Sequence, residues 1–162
     1  MTQQESSPDF RLDVVPISLA TLRPYRKNPR THSKKQIRQI ADSIHRFGFT
    51  NPVLVSDDDE IIAGHGRVEA AKLLQMTSVP AVRLSHLNVA QRRAYVIADN
   101  KLALNAGLDH ELLAVELQAL VDLDFGVEIT GFSLAEVDLV LEEARDCRTD
   151  LRCDATDETP SA

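Results

Sequence analysis

The segment from Ile61 to Arg67, with the sequence IIAGHGR, carries the densest chemical signal in the chain. Its two glycines let a ligand approach the backbone closely, and the pattern indicates a strand that runs into a helix. The first N–H groups of a helix are unpaired and carry positive partial charge, so they favour an anion such as phosphate. Arg67 adds a guanidinium group at the same place. The segment therefore predicts an anion site at residues 64–67.

The motif is not specific by itself, because it is neither a Walker A loop nor a complete Gly-x-Gly-x-x-Gly fingerprint. A tight strand–helix turn with Arg67 on the surface is the open alternative. His65 is a candidate catalytic base or phosphate ligand, since imidazole titrates near neutrality; the alternative is that it only lines the turn. The remaining histidines have no metal-ligand spacing, and we expect them on the surface: His32, His45, His86 and His110.

The strands and helices that position this segment are predicted from hydrophobic periodicity and from cap and turn residues. Apolar runs predict strands at 14–19, 52–56, 60–63 and 79–84, the middle two forming a hairpin across an acidic turn. Cap residues predict helices that begin after Ser33, Asn88, Asp109 and Ser133, besides one at 67–75. The expected ends are Gly48, Ala98, Val121 and Ala144, and the helix after Asp109 should turn Leu112, Leu113, Leu117 and Leu120 inward. This pattern is typical of an α+β fold.

Composition bounds the class of protein. The chain has 162 residues, 43% hydrophobic and 27% charged, which is typical of a globular domain. It has no apolar run long enough to span a membrane and no secretory signal, so we expect no membrane partner and a cytoplasmic location. Cys147 and Cys153 lie in a segment expected to be flexible, where a zinc site is improbable.

The net charge of −7 hides a gradient along the chain. Residues 1–50 carry nine Lys/Arg against four Asp/Glu, whereas residues 101–162 carry four against fifteen. A solvated helix face explains most charge runs, but a local basic cluster can also neutralise phosphates. The candidate DNA-binding residues are therefore Arg26, Lys27, Lys34, Lys35 and Arg38.

Several segments, taken in order from about residue 14 to residue 120, resemble the ParB/sulfiredoxin-like N-terminal domain. They are Asn28-Pro29-Arg30, Ala41-Asp42-Ser43-Ile44, Pro52-Val53-Leu54-Val55, Ala63-Gly64-His65-Gly66-Arg67, Val79-Pro80-Ala81-Val82 and Ile97-Ala98-Asp99-Asn100. The resemblance implies a small mixed sheet with helices packed on it. It also implies four segments: a flexible tail at 1–12, the ParB-like domain at 13–121, a helical extension at 122–145, and a disordered tail or linker at 146–162.

The resemblance further implies a nucleoside triphosphate such as CTP, held with Mg²⁺. The nucleotide-binding residues would be Arg30, Gly64, His65, Gly66, Arg67 and Asn100, and the metal would be held by Asp99 and Asn100. The family's usual Gly-Glu-Arg-Arg segment reads Gly64-His65-Gly66-Arg67 here, and Ala103 replaces a usual arginine. A sulfiredoxin reaction is not expected, because His65 stands where that branch carries its catalytic cysteine.

The run from Gln91 to Gly107 and the segment 123–132 resemble the ParB-like domain that precedes DNA methyltransferases in bacterial and phage proteins. No methyltransferase motif is present, so we expect a stand-alone or truncated version, with too few residues left for the helix-turn-helix domain of a full partition protein. The expected function is a DNA-associated, nucleotide-binding module, and a homodimer is a candidate assembly. Two alternatives stay open: a nuclease or nucleotide hydrolase, and an interaction module of a split DNA methyltransferase.

Overall fold

The computed structural model describes the backbone of residues 12–154 and the side chains of residues 12–146. The chain divides into two compact units, residues 1–104 (unit 1) and residues 105–162 (unit 2). Unit 1 holds the sheet and unit 2 is helical. Within the described range, no helix is both long and apolar enough to cross a bilayer.

The sheet of unit 1 has four strands: β1 (Val14–Ser18), β2 (Val53–Val55), β3 (Ile61–Ala63) and β4 (Ser78–Arg83). Their order is β1-β4-β2-β3. β2 and β3 form the predicted antiparallel hairpin, β4 is parallel to β2, and β1 is antiparallel to β4. The small mixed sheet and the α+β class are thus confirmed.

Two prolines face each other in this sheet, Pro16 on the edge strand β1 and Pro80 on the interior strand β4. Neither residue has an N–H, so this must be a pair at which both backbones point away from each other. On its other side β4 begins to pair with β2 only at Ala81, one residue later. An interior strand therefore accommodates a proline without losing a ladder hydrogen bond.

The two faces of the sheet are covered by different helices. Along β3, Ile61 belongs to the core cluster that contains Val68 of α2 (His65–Leu73), whereas Ile62 belongs to the cluster that contains Val96 of α3 (Val89–Asn105). This follows from the alternation of side chains along a strand. α1 (Lys34–Phe47) packs against α2. The sheet thus places the start of α2 and the middle of α3 around the end of β3.

The predicted helix caps are confirmed. Ser33 Oγ accepts from Gln36 N at 3.1 Å, and α1 ends at Gly48 with φ +82°. Asn88 and Gln91 cap α3 reciprocally, each side chain accepting from the other's backbone N–H at 2.9 Å. Ser33 departs from a full capping box, because the side chain of Gln36 contacts His32 Nδ1 at 3.0 Å.

Two helices run further than predicted. α3 continues from the expected end at Ala98 to Asn105, and α5 (Leu134–Asp154) continues past Ala144. Neither stretch contains glycine or proline, and their Leu, Ala, Lys and Arg residues favour helix, so nothing local stops either helix. The segment expected to be a tail from residue 146 is therefore helical as far as Asp154, and its remainder lies outside the described residues.

Unit 2 is built from α4 (His110–Asp122), a short 3-10 helix (Val127–Thr130) and α5. Its core contains Leu117, Val127 and Val137, with Leu113 and Leu120 packed against them. Leu112, which we expected to face inward, is instead 64% exposed. Because α4 packs on α5, the division between units falls after residue 104 and not after 121.

Candidate functional site

The end of β3 turns into α2 through a left-handed glycine. Gly64 has φ +101°, and Val68 N donates to its carbonyl oxygen at 3.0 Å to close the first turn. No side chain among residues 12–146 caps this helix, and the N–H groups of its first turn have no helical partner. These N–H groups carry positive partial charge, which favours an anion beside the turn. The predicted strand–glycine–helix geometry is present, with the helix starting two residues earlier than expected.

Arg67 is held over this turn. Its Nη1 donates to Asn51 O at 2.6 Å, and a Cβ atom built on Gly64 would lie only 3.1 Å from its Nη2. A side chain at residue 64 would therefore crowd the guanidinium group, besides being strained at that φ. Burial lowers the pKa of Arg67, Asp99 counteracts this, and Arg30 adds to it. The guanidinium thus lies partly buried with a carboxylate and a second cation nearby.

His65 is tied to the loop that carries Tyr25. The backbone N–H of Tyr25 donates to His65 Nε2 at 3.2 Å, so Nε2 must be unprotonated and the neutral ring carries its proton on Nδ1. Burial lowers the pKa of His65, His32 lowers it further, and Glu69 raises it. His65 is therefore neutral at pH 7, and the atom that a general base would use is already occupied.

His32 fills the space beside Gly66. A Cβ atom built on Gly66 would lie 3.0 Å from His32 Cε1, 3.1 Å from His32 Nε2 and 3.0 Å from Ile40 Cδ1. The other ring nitrogen of His32 is bound to Gln36 Oε1 at 3.0 Å. Our expectation that His32 lies on the surface is wrong, because the ring is half-buried against the glycine turn. His45, His86 and His110 are exposed as expected.

Asp99 and Asn100 lie in the middle of α3, not at its end as expected. Asn100 Nδ2 donates to Val96 O at 2.9 Å, which leaves Oδ1 as the atom available to a ligand. A carboxylate and an amide oxygen are ligands that suit Mg²⁺, which usually takes one or two protein oxygens and completes its shell with phosphate and water. Among the described residues, no three His, Cys, Asp or Glu side chains form a metal cluster. The pair thus fits a cation that arrives with a polyphosphate.

These residues surround one cavity of about 300 Å³, here called the anion cavity. Every residue predicted for the nucleotide or the metal lines it: Arg30, Gly64, His65, Gly66, Arg67, Asp99 and Asn100. Sequence reasoning missed Asn28, His32 and Gln36. A signal for His32 was available, since a glycine where the resemblance predicts an arginine leaves a space that another side chain must fill.

The family model described as ParB N-terminal domain matches residues 2–100. The chain belongs to the ParB N-terminal domain family. The model described as ParB-methyltransferase HTH domain matches residues 111–162. This corrects our expectation that too little chain remained for a helix-turn-helix domain, which underestimated how much of the last fifty residues is helical.

Curated relatives match about half of the chain. The chain is 51% identical over 83 residues to the ParB-like nuclease domain-containing protein YnaK of Escherichia coli strain K12, covering 51% of this chain and 95% of that protein. It is 37% identical over 79 residues to the chromosome-partitioning protein Spo0J of Thermus thermophilus, covering 46% of this chain and 29% of that protein. The chain thus spans under a third of that partitioning protein.

Among solved structures, the C-terminally truncated ParB of Caulobacter crescentus complexed with CTP-gamma-S superposes with a TM-score of 0.64. The match covers 77% of this chain and 74% of that chain at 21% sequence identity. At that identity the match shows a shared fold, and it confirms the ParB-like architecture expected from the sequence.

The basic residues predicted to bind DNA do not form one surface in this ParB-like unit. Arg26 and Lys27 line a second concavity beside α3, whereas Lys34 and Arg38 lie along α1 near Glu69 and Lys72 of α2. Lys35 is exposed on α1. Neighbours in sequence are separated here because the chain turns at Ser33, where the loop ends and α1 begins.

Proposed function

We propose that this ParB-family chain binds a nucleoside triphosphate with Mg²⁺ in the anion cavity and acts in association with DNA. The observation that carries the proposal is the convergence of the uncapped start of α2, Arg67 and Arg30 with the oxygen ligands of Asp99 and Asn100 on one cavity. The CTP-gamma-S bound to the Caulobacter ParB of the same fold supports the choice of ligand class. CTP is therefore the first nucleotide to test.

Each group has a part in holding the ligand. The first-turn N–H groups and the Arg67 fork bind phosphate oxygens, and the bidentate geometry of arginine suits them. Asp99 and Asn100 would hold Mg²⁺, which neutralises phosphate charge when bound. His65 acts as a positioning residue: its neutral ring fastens the loop of Tyr25, and with it Asn28 and Arg30, to the start of α2.

Calorimetric titration of CTP, GTP, ATP and UTP, each with and without Mg²⁺, tests the proposal. We expect saturable binding of at least one nucleotide that is stronger with Mg²⁺ and is lost on Arg67→Ala. Asp99→Asn should reduce the Mg²⁺ dependence more than the binding measured without the metal. Absence of binding by every nucleotide at millimolar concentration would overturn the proposal.

The match of residues 111–162 to a helix-turn-helix domain described with methyltransferases supports a second proposal, that the chain works beside a DNA methyltransferase. The excess of acidic residues after residue 100 offers a surface for a basic partner. Co-expression with a DNA methyltransferase from the same organism, followed by size-exclusion chromatography, tests it. Co-elution that survives 0.3 M salt supports the association, and separate elution at low salt contradicts it.

A further inference from the structure

A second concavity of unit 1, of about 720 Å³, is more than twice as large as the anion cavity. We call it the basic groove. Its floor is apolar and includes Ile61, Ile62 and Val96, and its rim carries five cationic side chains from two separate elements: Arg23, Arg26, Lys27, Arg92 and Arg93. Among the described residues that line the groove, Asp58 and Glu60 are the only acidic ones. The groove therefore has a clear positive excess although the chain as a whole is acidic.

The loop that forms one wall is fixed to the hairpin. Arg23 N donates to Asp59 O at 2.9 Å, and Ile61 N donates to Arg23 O at 2.8 Å. The Arg23 guanidinium donates to Asp58 O through Nε at 3.1 Å and Nη2 at 2.7 Å. These bonds go to carbonyl oxygens, so they orient the Arg23 side chain without neutralising its charge. Hydrogen bonds to the hairpin thus hold this wall of the groove in place.

The other four cations of the groove have no ionic partner in the part of the chain that the structure describes. Arg26, Lys27, Arg92 and Arg93 form no side-chain hydrogen bond or ion pair with any residue that the structure describes. Of the other cations in unit 1, Lys72 pairs with Glu69 and Arg83 pairs with Asp59. Lys34, Lys35 and Arg38 on α1 have no partner among the described residues either, but they do not line this groove. Like charges gathered around one concavity repel each other, and an external polyanion relieves this repulsion.

The groove differs chemically from a site for one small anion. The start of α3 lies at its edge, but the reciprocal cap of Asn88 and Gln91 already satisfies the backbone N–H groups of those two residues. Attraction comes from side chains spread along the rim, a pattern that suits a chain of phosphates more than a single one. We propose that the basic groove binds the phosphodiester backbone of duplex DNA.

This proposal rests on the DNA association in the proposed function, but not on nucleotide binding. It also shifts the predicted contact residues, because Arg92 and Arg93 on α3 join Arg26 and Lys27, while Lys34, Lys35 and Arg38 lie elsewhere. The chain offers a matched control on the same helix: Arg93 and Lys101 are both exposed on α3, and only Arg93 lines the groove.

The experiment is fluorescence anisotropy of a labelled 30-base-pair duplex, titrated with the full chain from 50 to 300 mM salt. Each phosphate contact contributes about 0.9 to the slope of log K against log salt. We expect Arg93→Gln to reduce that slope by about one and R92Q/R93Q by about two, with affinity at low salt falling on the order of tenfold. Lys101→Gln, with the same loss of charge, should leave the slope unchanged.

Asp58→Asn provides a gain of function that misfolding cannot imitate. Asp58 holds the Arg23 guanidinium through its backbone oxygen and not through its carboxylate, so the substitution keeps that contact and removes one opposing charge from the groove. We expect several-fold tighter DNA binding. Equal effects of R93Q and K101Q, or no gain with D58N, would overturn the groove proposal while leaving DNA association intact. Absence of DNA binding at 50 mM salt would overturn DNA association itself. Equally tight binding of a polyglutamate chain would identify an acidic protein partner instead of DNA.

Discussion

The anion cavity and the basic groove are both positively charged, yet they hold their charges in opposite ways. In the cavity, Arg67 is clamped between Asn51 O and Gly64, and His65 is fastened to Tyr25 N–H. In the groove, Arg26, Lys27, Arg92 and Arg93 extend from the rim without a partner among the described residues. The two regions lie in one unit of about a hundred residues and share the loop that follows β1.

This difference determines what each region selects. Fixed groups in a partly buried cavity lose little conformational freedom on binding and impose geometry, so they distinguish between small ligands. Free, solvated cations lose more freedom and are screened by salt, so they favour a repeating polyanion with little discrimination. A cluster of arginines alone therefore does not identify a ligand, and the restraint on each side chain has to be considered as well.

The largest effect that would sharpen the comparison is expected for Arg67→Ala. Charge-assisted hydrogen bonds contribute about 1.5–3 kcal/mol each, so nucleotide affinity should fall about 10- to 150-fold. Arg67→Lys should recover little, because an ammonium group cannot reproduce the fork that reaches both Asn51 O and a phosphate. Calorimetry measures the change, and Lys101→Gln is the charge-matched control. A loss of DNA affinity as large as the loss of nucleotide affinity would contradict the separation of the two regions.

The second effect concerns how the cavity is packed. Gly66→Ala would bring a methyl group within 3.0 Å of His32, and crowding of this kind costs about 1–3 kcal/mol of unfolding free energy. In a His32→Ala background the ring is absent, Ile40 Cδ1 can rotate away, and alanine favours helix by about 0.5–1 kcal/mol over glycine. Urea unfolding of the two single variants and the double variant measures the coupling. Additive effects would show that His32 and Gly66 are not packed together.

A smaller effect is expected from the titration of His65. An unfolded histidine protonates near pH 6.5, whereas burial lowers the folded pKa, so the folded state binds fewer protons and loses stability as the pH falls below about 6.5. One proton limits the slope to about 1.4 kcal/mol per pH unit, and solvent at the half-exposed ring reduces it further. His65→Gln keeps an acceptor for Tyr25 N–H and cannot titrate. The unfolding free energy of the wild type minus that of H65Q should therefore decrease on acidification; a constant difference would mean that the ring is not fixed.

The smallest effect is expected for the cations of α1, which the sequence analysis grouped with Arg26 and Lys27 but which do not line the groove. K34Q/K35Q removes two charges from the start of α1, outside the groove. It should weaken DNA binding less than threefold at 0.1 M salt, since only long-range attraction is lost. The duplex titration described above measures this effect, with R92Q/R93Q titrated in parallel. An equal loss of DNA affinity in the two double variants would indicate that α1 and the basic groove act as one DNA-binding surface.

The sequence predicted those parts of the molecule that depend on local rules. Gly64, the capping residues Ser33 and Asn88, and the hairpin of β2 and β3 all act within a few residues, and all lie where expected. The resemblance to a family then predicted which segments share the cavity. His32 was missed because its place depends on the absence of a side chain at Gly66, which is distant in sequence.

The groove was missed for a related reason. Counting charges along the chain groups Arg26 with Lys34, whereas the fold groups Arg26 with Arg93, because α3 crosses the sheet face beside the loop. Helix length was misjudged at α3 and α5, where polar residues suggested an end although no glycine or proline enforced one. Local sequence rules therefore predict where a helix begins better than where it ends. Contacts between distant segments are found only from the structure.

The pair of prolines in the sheet has a consequence for how accurately the whole site is assembled. If β1 slipped by one residue along β4, Pro16 would face Ala81 at a position where both backbones point toward each other, and the missing N–H would leave a carbonyl oxygen unpaired. The same slip would move the start of the following loop by about 3.3 Å, more than a hydrogen bond tolerates. Tyr25 would then lose His65, and Arg23 would lose Asp59. Pro16 and Pro80, which line neither the anion cavity nor the basic groove, thus fix the register of β1 on β4. Replacing both with valine should first make refolding slow or heterogeneous.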